Sequence, residues 1–352
     1  MAATTNEAPL VASPVPHAVS GGRLNVLDGW RAVSIVAVIA GHWLPFNAFL
    51  RGSNEAIASG GMAIFFTLSG FLITRFLLDR PEIRPFVIRR FLRIVPLAWV
   101  AVITLYIANP TDVEALQRLL ANLLFYANLP PQRLFEGGSH LWSLCVEMQF
   151  YVATALIVGF GGRRALYALP ILGLVVTLLR VWTGSTINIV TWLRVDEIMA
   201  GATLSLIYAG RLGLKARVAL ARLNFWVAVT LAVICCYFMY TPLAYARPYA
   251  VAAMVGVTLF HAPPFVQRWL SSRLGAYIAE ISYALYVIHG MLGATWLGSG
   301  DVIEKYLKRP LLLAATVVLA HLSTFYFERR FIQLAKLLTR RNADLDQKPE
   351  SI

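Results

Sequence analysis

The sequence predicts an all-α integral membrane protein with about ten transmembrane helices and both termini cytoplasmic. Three observations predict it. The 352 residues are 58% hydrophobic and only 14% charged, with a mean hydropathy of +0.65, too apolar for an ordinary soluble domain. Apolar windows of about 20 residues, the length a helix needs to cross the hydrocarbon core, recur along the chain. The basic residues then sort to one side of the topology those windows define.

The windows place spans near 27–48, 60–79, 92–109, 139–160, 164–182, 187–209, 223–241, 245–262, 275–297 and 310–330. The stretch ALQRLLANLLFYANL, 115–129, is short and amphipathic, so it reads as an interfacial or re-entrant helix on the outer side. With the amino terminus inside, 21 of the 31 Lys and Arg fall in inner segments, 7 in outer ones, and Arg31, Arg180 and Arg194 lie within spans. That asymmetry explains the net charge of +13 without nucleic acid, which is excluded as a partner. Membrane lipids are the expected surroundings, in a multi-pass protein of the cell (inner) membrane.

Residues 1–23 are rich in Ala, Pro, Ser and Val, with no basic start before a hydrophobic block. They read as a disordered cytoplasmic tail and not as a cleavable signal peptide, which leaves 24–333 as the membrane domain and 334–352 as a cytoplasmic C-terminal tail. Cys145, Cys235 and Cys236 lie in apolar segments with neither metal-ligand spacing nor a disulfide pattern, so they read as small core residues and no metal is expected. No internal repeat is evident, which counts against transporters built from inverted halves.

The first span, LDGWRAVSIVAVIAGHWLPFNA, carries Arg31 and His42. Eleven residues of helix return to nearly the same face about 16 Å further along the axis. Either the two mark a polar path through the bundle, or Arg31 snorkels and His42 hydrogen-bonds internally. In the second span, GGMAIFFTLSGFLIT, small residues permit close helix packing, and Ser69 with Gly70 could alternatively leave room for a thin substrate. The stretch RPFVIRRFLRIVP sets Arg90 and Arg93 three apart with Arg89 beside them. Arginine forks at that cytoplasmic mouth suit a phosphorylated donor, or equally the heads of anionic lipids.

The fourth span, GGSHLWSLCVEMQFYVATAL, places Glu147 about two turns from its start. Counting from the outer ends of their helices brings Glu147 and His42 to similar depth, where a carboxylate could orient an imidazole base or form a structural ion pair. His140 reads as an exposed interfacial residue. In WLRVDEIMAG, Arg194 and Asp196 are too close to share a face unless the helix breaks there, and such groups link helices or line a cavity. EISYALYVIHG offers Ser282, Tyr283 and His289, the last a cavity histidine or a satisfied bundle residue, and FYFERRF ends with Glu328 at the rim.

This ordered set of stretches resembles the acyltransferase type 3 membrane proteins, which O-acylate sugars and other hydroxyl acceptors. Arg31 and His42 match the family's opening basic-to-histidine pattern, RRFLRIVP its paired arginines through Arg90 and Arg93, FFTLSGFLIT its second helix, and HLWSLCVEMQFY its glutamate helix through Glu147. RVDEIMAG, ISYALYVIH and FYFERRF follow in family order, so the likeness covers about 24–333. Leu141, Met148 and Gly290 depart from the family's usual residues near the outer mouth. The chain ends soon after the tenth span, so the extracytoplasmic domain of some members is not expected.

The resemblance implies an O-acyltransferase, in the common case an acetyltransferase, using acyl-CoA (acetyl-CoA) as donor substrate and a polysaccharide or glycan-precursor hydroxyl as acceptor. Arg90 and Arg93, with Arg89, would hold the donor phosphates, and its acyl arm would thread past Arg31 and Ser69. His42 would deprotonate the acceptor or carry the acyl group, with Glu147 setting its tautomer. The competing expectation from another class is a transporter or lipid flippase using the Arg31 to His42 stripe as its path, and a third is a scaffold with a vestigial site. Self-association into a homo-oligomer is left open.

Overall fold

The computed structural model describes residues 25–109 and 113–345, and among them every regular element is helical. The expected tail 1–23 and residues 346–352 lie outside the described residues. In chain order the helices are α1 (Asn25–Trp43), α2 (Ser53–Asp79), α3 (Ile83–Ala108), α4 (Ala115–Leu123), α5 (Trp142–Gly161), α6 (Leu169–Trp182), α7 (Asp196–Tyr208), α8 (Leu214–Arg222), α9 (Phe225–Tyr237), α10 (Arg247–Val257), α11 (Pro264–Leu270), α12 (Arg273–Gly293), α13 (Val302–Leu322) and α14 (Arg329–Leu345). The starts of several are fixed by local chemistry. Asn224, Ser272 and Asp301 accept hydrogen bonds from the free amides that open α9, α12 and α13.

Each of the ten expected spans overlaps a helix, and the tenth reaches two, α13 and the start of α14, but the elements are less uniform than the windows imply. Among the described residues four helical stretches are long and apolar enough to cross a membrane: Ser53–Asp79, Ile83–Ala108, Ser139–Trp182 and Val302–Thr339. The bent pair α8 and α9, turned by 89°, adds a fifth if counted as one span. By contrast α6, α7 and α10 have 14, 13 and 11 residues, about 16–21 Å at the helical rise, against a hydrocarbon core of about 30 Å. Each follows a tight 3₁₀ turn, at Gly162–Ala168, Thr191–Leu193 and Pro242–Ala246 respectively. Apolar windows register composition and pass over such breaks. The short amphipathic stretch resolves into α4, and residues 334–345 of the expected tail belong to α14, which packs on α3.

At the centre α1 packs on α2 and α12, and α2 on α7. Small residues set the α2–α7 crossing. A methyl group on Gly70 would meet the Ile198 carbonyl oxygen at 1.8 Å, and one on Gly201 the Thr67 oxygen at 2.0 Å, so backbones touch where other residues would force them apart. Gly70 is therefore a packing residue. Two apolar clusters flank this centre, one joining α1, α2, α3, α5 and α12 and the other α1, α2, α9 and α10. The three cysteines are free and buried.

Candidate active site

Three adjoining cavities form a string, the second and third of them lined by the face of α1 that carries Arg31 and His42. The first, an arginine vestibule of about 450 Å³, lies between α3 and α14 and is lined by Arg89, Arg90, Arg93, Phe76, Phe86 and Lys336. Arg90 and Arg93 also wall the second, a narrow passage of about 60 Å³ that Arg31, Ser34, Ser69, Glu147 and Tyr151 line as well. Val38, Met62 and Tyr286 are shared between this passage and a third cavity of about 410 Å³, which His42, Glu55, His140, Trp142, Asn188 and Arg194 line. The helical repeat that set Arg31 and His42 on one stripe thus puts one at the narrow passage and the other at the histidine cavity.

The arginine end is built from one turn of α3. Arg90 and Arg93 face the passage, and the Arg90 guanidinium lies 5.5 Å from the centre of the Tyr151 ring. Arg89 differs. It lines the vestibule but donates to Thr339 Oγ1 from Nη2 at 2.9 Å and from Nε at 3.2 Å, tying α3 to α14. Lys336, on that same helix, was not expected to belong here. Its place becomes visible only when α14 folds back over α3.

Glu147 corrects the sequence expectation. It does not orient His42; Ser69 Oγ donates to Glu147 Oε1 at 2.6 Å, Tyr151 donates to the same oxygen, and Ser69 Oγ lies 3.4 Å from Tyr151 Oη. Glu147 is 5% exposed and belongs to the passage beside Arg31, Arg90 and Arg93. Counting turns assumed that α1 ends near residue 48 at the level where α5 begins, whereas α1 ends at Trp43, with His42 in its last turn, and the 3₁₀ turn Ser139–Leu141 precedes α5, so the depths differ. Tyr151 was legible, because positions 147 and 151 are one helical turn apart on one face.

His42 instead meets His289. Its Nδ1 lies 3.0 Å from His289 Nε2, and His289 Nδ1 donates to the Tyr286 carbonyl oxygen at 2.6 Å. His140, expected to be exposed, is buried. Its Nε2 donates to the Val287 carbonyl at 3.0 Å, and its ring centre lies 4.8 Å from that of His289. Gly290 makes room for it, since a methyl group there would meet His140 Nδ1 at 2.2 Å. Tyr286 closes the group by donating to the His140 carbonyl oxygen, while its hydroxyl lies 2.6 Å from Ser143 Oγ. Leu141 and Met148 are buried. Among the described residues no group of three or more His, Cys, Asp or Glu is disposed to hold a metal ion.

The broken entry to α7 gathers five further buried charges, while Glu328, also buried, accepts from Ser323 and Thr324. Asp196 pairs with Arg180 of α6, and Glu197 pairs with Arg194 at 3.3 Å and with Arg247 of α10 at 2.8 Å. These ties join three short helices, and Arg194 additionally lines the histidine cavity, its guanidinium 5.3 Å from the Trp142 ring centre.

A family model described as an acyltransferase domain matches residues 24–329. Among curated proteins, the chain is 26% identical to the peptidoglycan O-acetyltransferase OatA of Listeria monocytogenes over 359 aligned positions, covering 86% of this chain and 54% of that protein. It is 27% identical to the putative peptidoglycan O-acetyltransferase YrhL of Bacillus subtilis, covering 75% and 47%. Over a shorter stretch, 38% of this chain, it is 30% identical to a putative O-acetyltransferase of Staphylococcus aureus. The chain thus spans about half the length of the first two relatives. No solved structure matches it.

Proposed function

The chain belongs to this acyltransferase family, and from that premise we propose that it is a membrane O-acyltransferase moving an acetyl group from acetyl-CoA to a hydroxyl of a polysaccharide or glycan precursor. The observation that carries the reading is the string of adjoining cavities from the arginine vestibule to His42. The names of the relatives support acetyl as the group and a cell-wall glycan as the acceptor class.

In this reading Arg90 and Arg93 bind the donor's phosphates through charge-assisted hydrogen bonds, at the face that the distribution of basic residues assigns to the cytoplasm. The thioester arm enters the passage past Arg31 and Ser69, covering the roughly 16 Å between Arg31 and His42. Glu147, held by Ser69 and Tyr151, offsets part of the positive charge there. The acceptor hydroxyl lies in the histidine cavity. His42 removes its proton as the oxygen attacks the thioester carbonyl, and the proton passes to the departing sulfur. In this reading the protein is a multi-pass component of the inner membrane with both termini cytoplasmic.

Membranes containing the protein, given labelled acetyl-CoA and solubilised peptidoglycan fragments, test this directly. Label should reach the glycan as an alkali-labile ester, and His42→Ala should cut the rate by about 100- to 10,000-fold at unchanged protein abundance. Near-normal turnover by that variant would remove His42 from the mechanism, and label crossing the membrane without ester formation would favour a transporter.

A further inference from the structure

We propose that His289 is a positioning residue that holds His42 in the one tautomer able to act as base toward the histidine cavity. The proposal rests on the reading of His42 as the base and names the residue that makes it one. Tyr286 offers a carbonyl oxygen, which can only accept, so the hydrogen bond of 2.6 Å fixes the His289 proton on Nδ1. A neutral imidazole has a single N–H, so His289 Nε2 is left as an acceptor. His42 Nδ1, 3.0 Å away, therefore donates to it. The lone pair of His42 is then on Nε2, the nitrogen not engaged with His289.

The ring geometry agrees. The two planes lie within 10° of each other with centres 5.2 Å apart, as for rings joined end to end through a hydrogen bond of that length. An imidazole N–H points outward in its ring plane, so this arrangement keeps the bond straight. His289 has no freedom to turn. It is 0% exposed, and the rings of His140, Tyr286 and Trp43 stand around it with centres 4.8, 5.6 and 6.1 Å away. His42 is exposed and lines the cavity. The partner is locked and the base faces the space where an acceptor would lie, the division of labour in which a third group sets the tautomer of a catalytic histidine.

The step balances without His289 changing its protonation. The hydroxyl oxygen forms a bond to the thioester carbonyl carbon as its proton moves to His42 Nε2. The carbon–sulfur bond then breaks, and the same proton passes from Nε2 to the sulfur. Throughout, the His42 Nδ1 proton remains shared with His289 Nε2, which stabilises the imidazolium that forms between the two stages.

Two replacements of similar polarity separate positioning from mere packing. His289→Gln sets an amide oxygen near the place of Nε2 and keeps an acceptor for His42, whereas His289→Asn reaches only the place of Nδ1, keeping the tie to Tyr286 and losing His42. With the full chain in membranes, labelled acetyl-CoA and solubilised peptidoglycan fragments, Gln should stay within about tenfold of the wild-type kcat, and Asn should fall by about 100-fold or more. Both should keep the donor KM within about twofold, since neither touches donor binding. Equal kcat values for the two variants, with the wild type active and His42→Ala inactive, would overturn the role of His289 alone. An inactive wild type, or full activity of His42→Ala, would overturn the reading of His42 and this proposal with it.

Discussion

Two arginine clusters lie inside one helical bundle, and they are built on opposite plans. In the first, Arg180, Arg194 and Arg247 are at most 3% exposed and face Asp196 and Glu197, both 0% exposed, through direct ion pairs. In the second, Arg31, Arg90 and Arg93 are half-buried around an open passage with Glu147, whose carboxylate is occupied by the hydroxyls of Ser69 and Tyr151. The first is tied up by ion pairs, three arginines against two carboxylates, with Arg194 also at the wall of the histidine cavity; the second has three arginines around one carboxylate and opens to a ligand. Burial without a partner is costly enough that an unpaired cation persists only where solvent or a substrate can reach it. Direct ion pairing and access, more than the presence of arginine, distinguish a strut from a binding site in this protein.

The sharpest way to break that contrast is to unbalance the closed cluster. Glu197→Gln leaves the side-chain shape but removes the negative charge that Arg194 and Arg247 share. Breaking a buried pair from one side costs about 3–5 kcal/mol, so the variant should lose most of its folded protein. Its thermal midpoint in detergent, followed by fluorescence-detected size exclusion, should fall well below that of the wild type. A midpoint equal to the wild type's would mean that water reaches the cluster and that it is not a strut.

Unbalancing the open cluster should do the reverse, leaving the fold and weakening the donor. A hydrogen bond to a charged group contributes about 1.5–3 kcal/mol, so replacing Arg90 and Arg93 by Ala should raise the donor KM by at least about tenfold with little change in thermal midpoint. An unchanged donor dependence would return those arginines to lipid contact.

What could be read from the sequence divides along the same line. The Arg31–His42 stripe and the Arg90–Arg93 turn were legible because each depends only on the helical repeat within one segment. The closed cluster was half legible, since Arg194 and Asp196 could not share a helix face without a break, and the structure has a 3₁₀ turn at Thr191–Leu193 just before them. The histidine group was not legible. His42 and His289 are 247 residues apart, and His140 is brought in by an apolar framework in which many helices have equivalent faces. Glu147 was placed beside His42 by counting turns from apparent helix ends, and the 3₁₀ turns at those ends do not show in hydropathy. In a bundle of this kind local motifs locate the groups that bind, while the partners that make one of them reactive depend on packing between distant segments.

The smallest expected effect probes the edge of the open cluster. Lys336 is exposed and lines the vestibule from α14, opposite Arg90 and Arg93. An exposed charge acting on an anion contributes about 0.2–1 kcal/mol and is screened by salt. Lys336→Ala should therefore raise the donor KM by about two- to fivefold at low ionic strength, with the difference fading near about 0.5 M salt. Arg90→Ala should keep most of its deficit at that salt concentration, because its guanidinium is partly withdrawn from water against Tyr151. Equal salt sensitivity of the two variants would place Arg90 at the rim with Lys336, and the passage would then begin deeper, at Arg93 and Arg31.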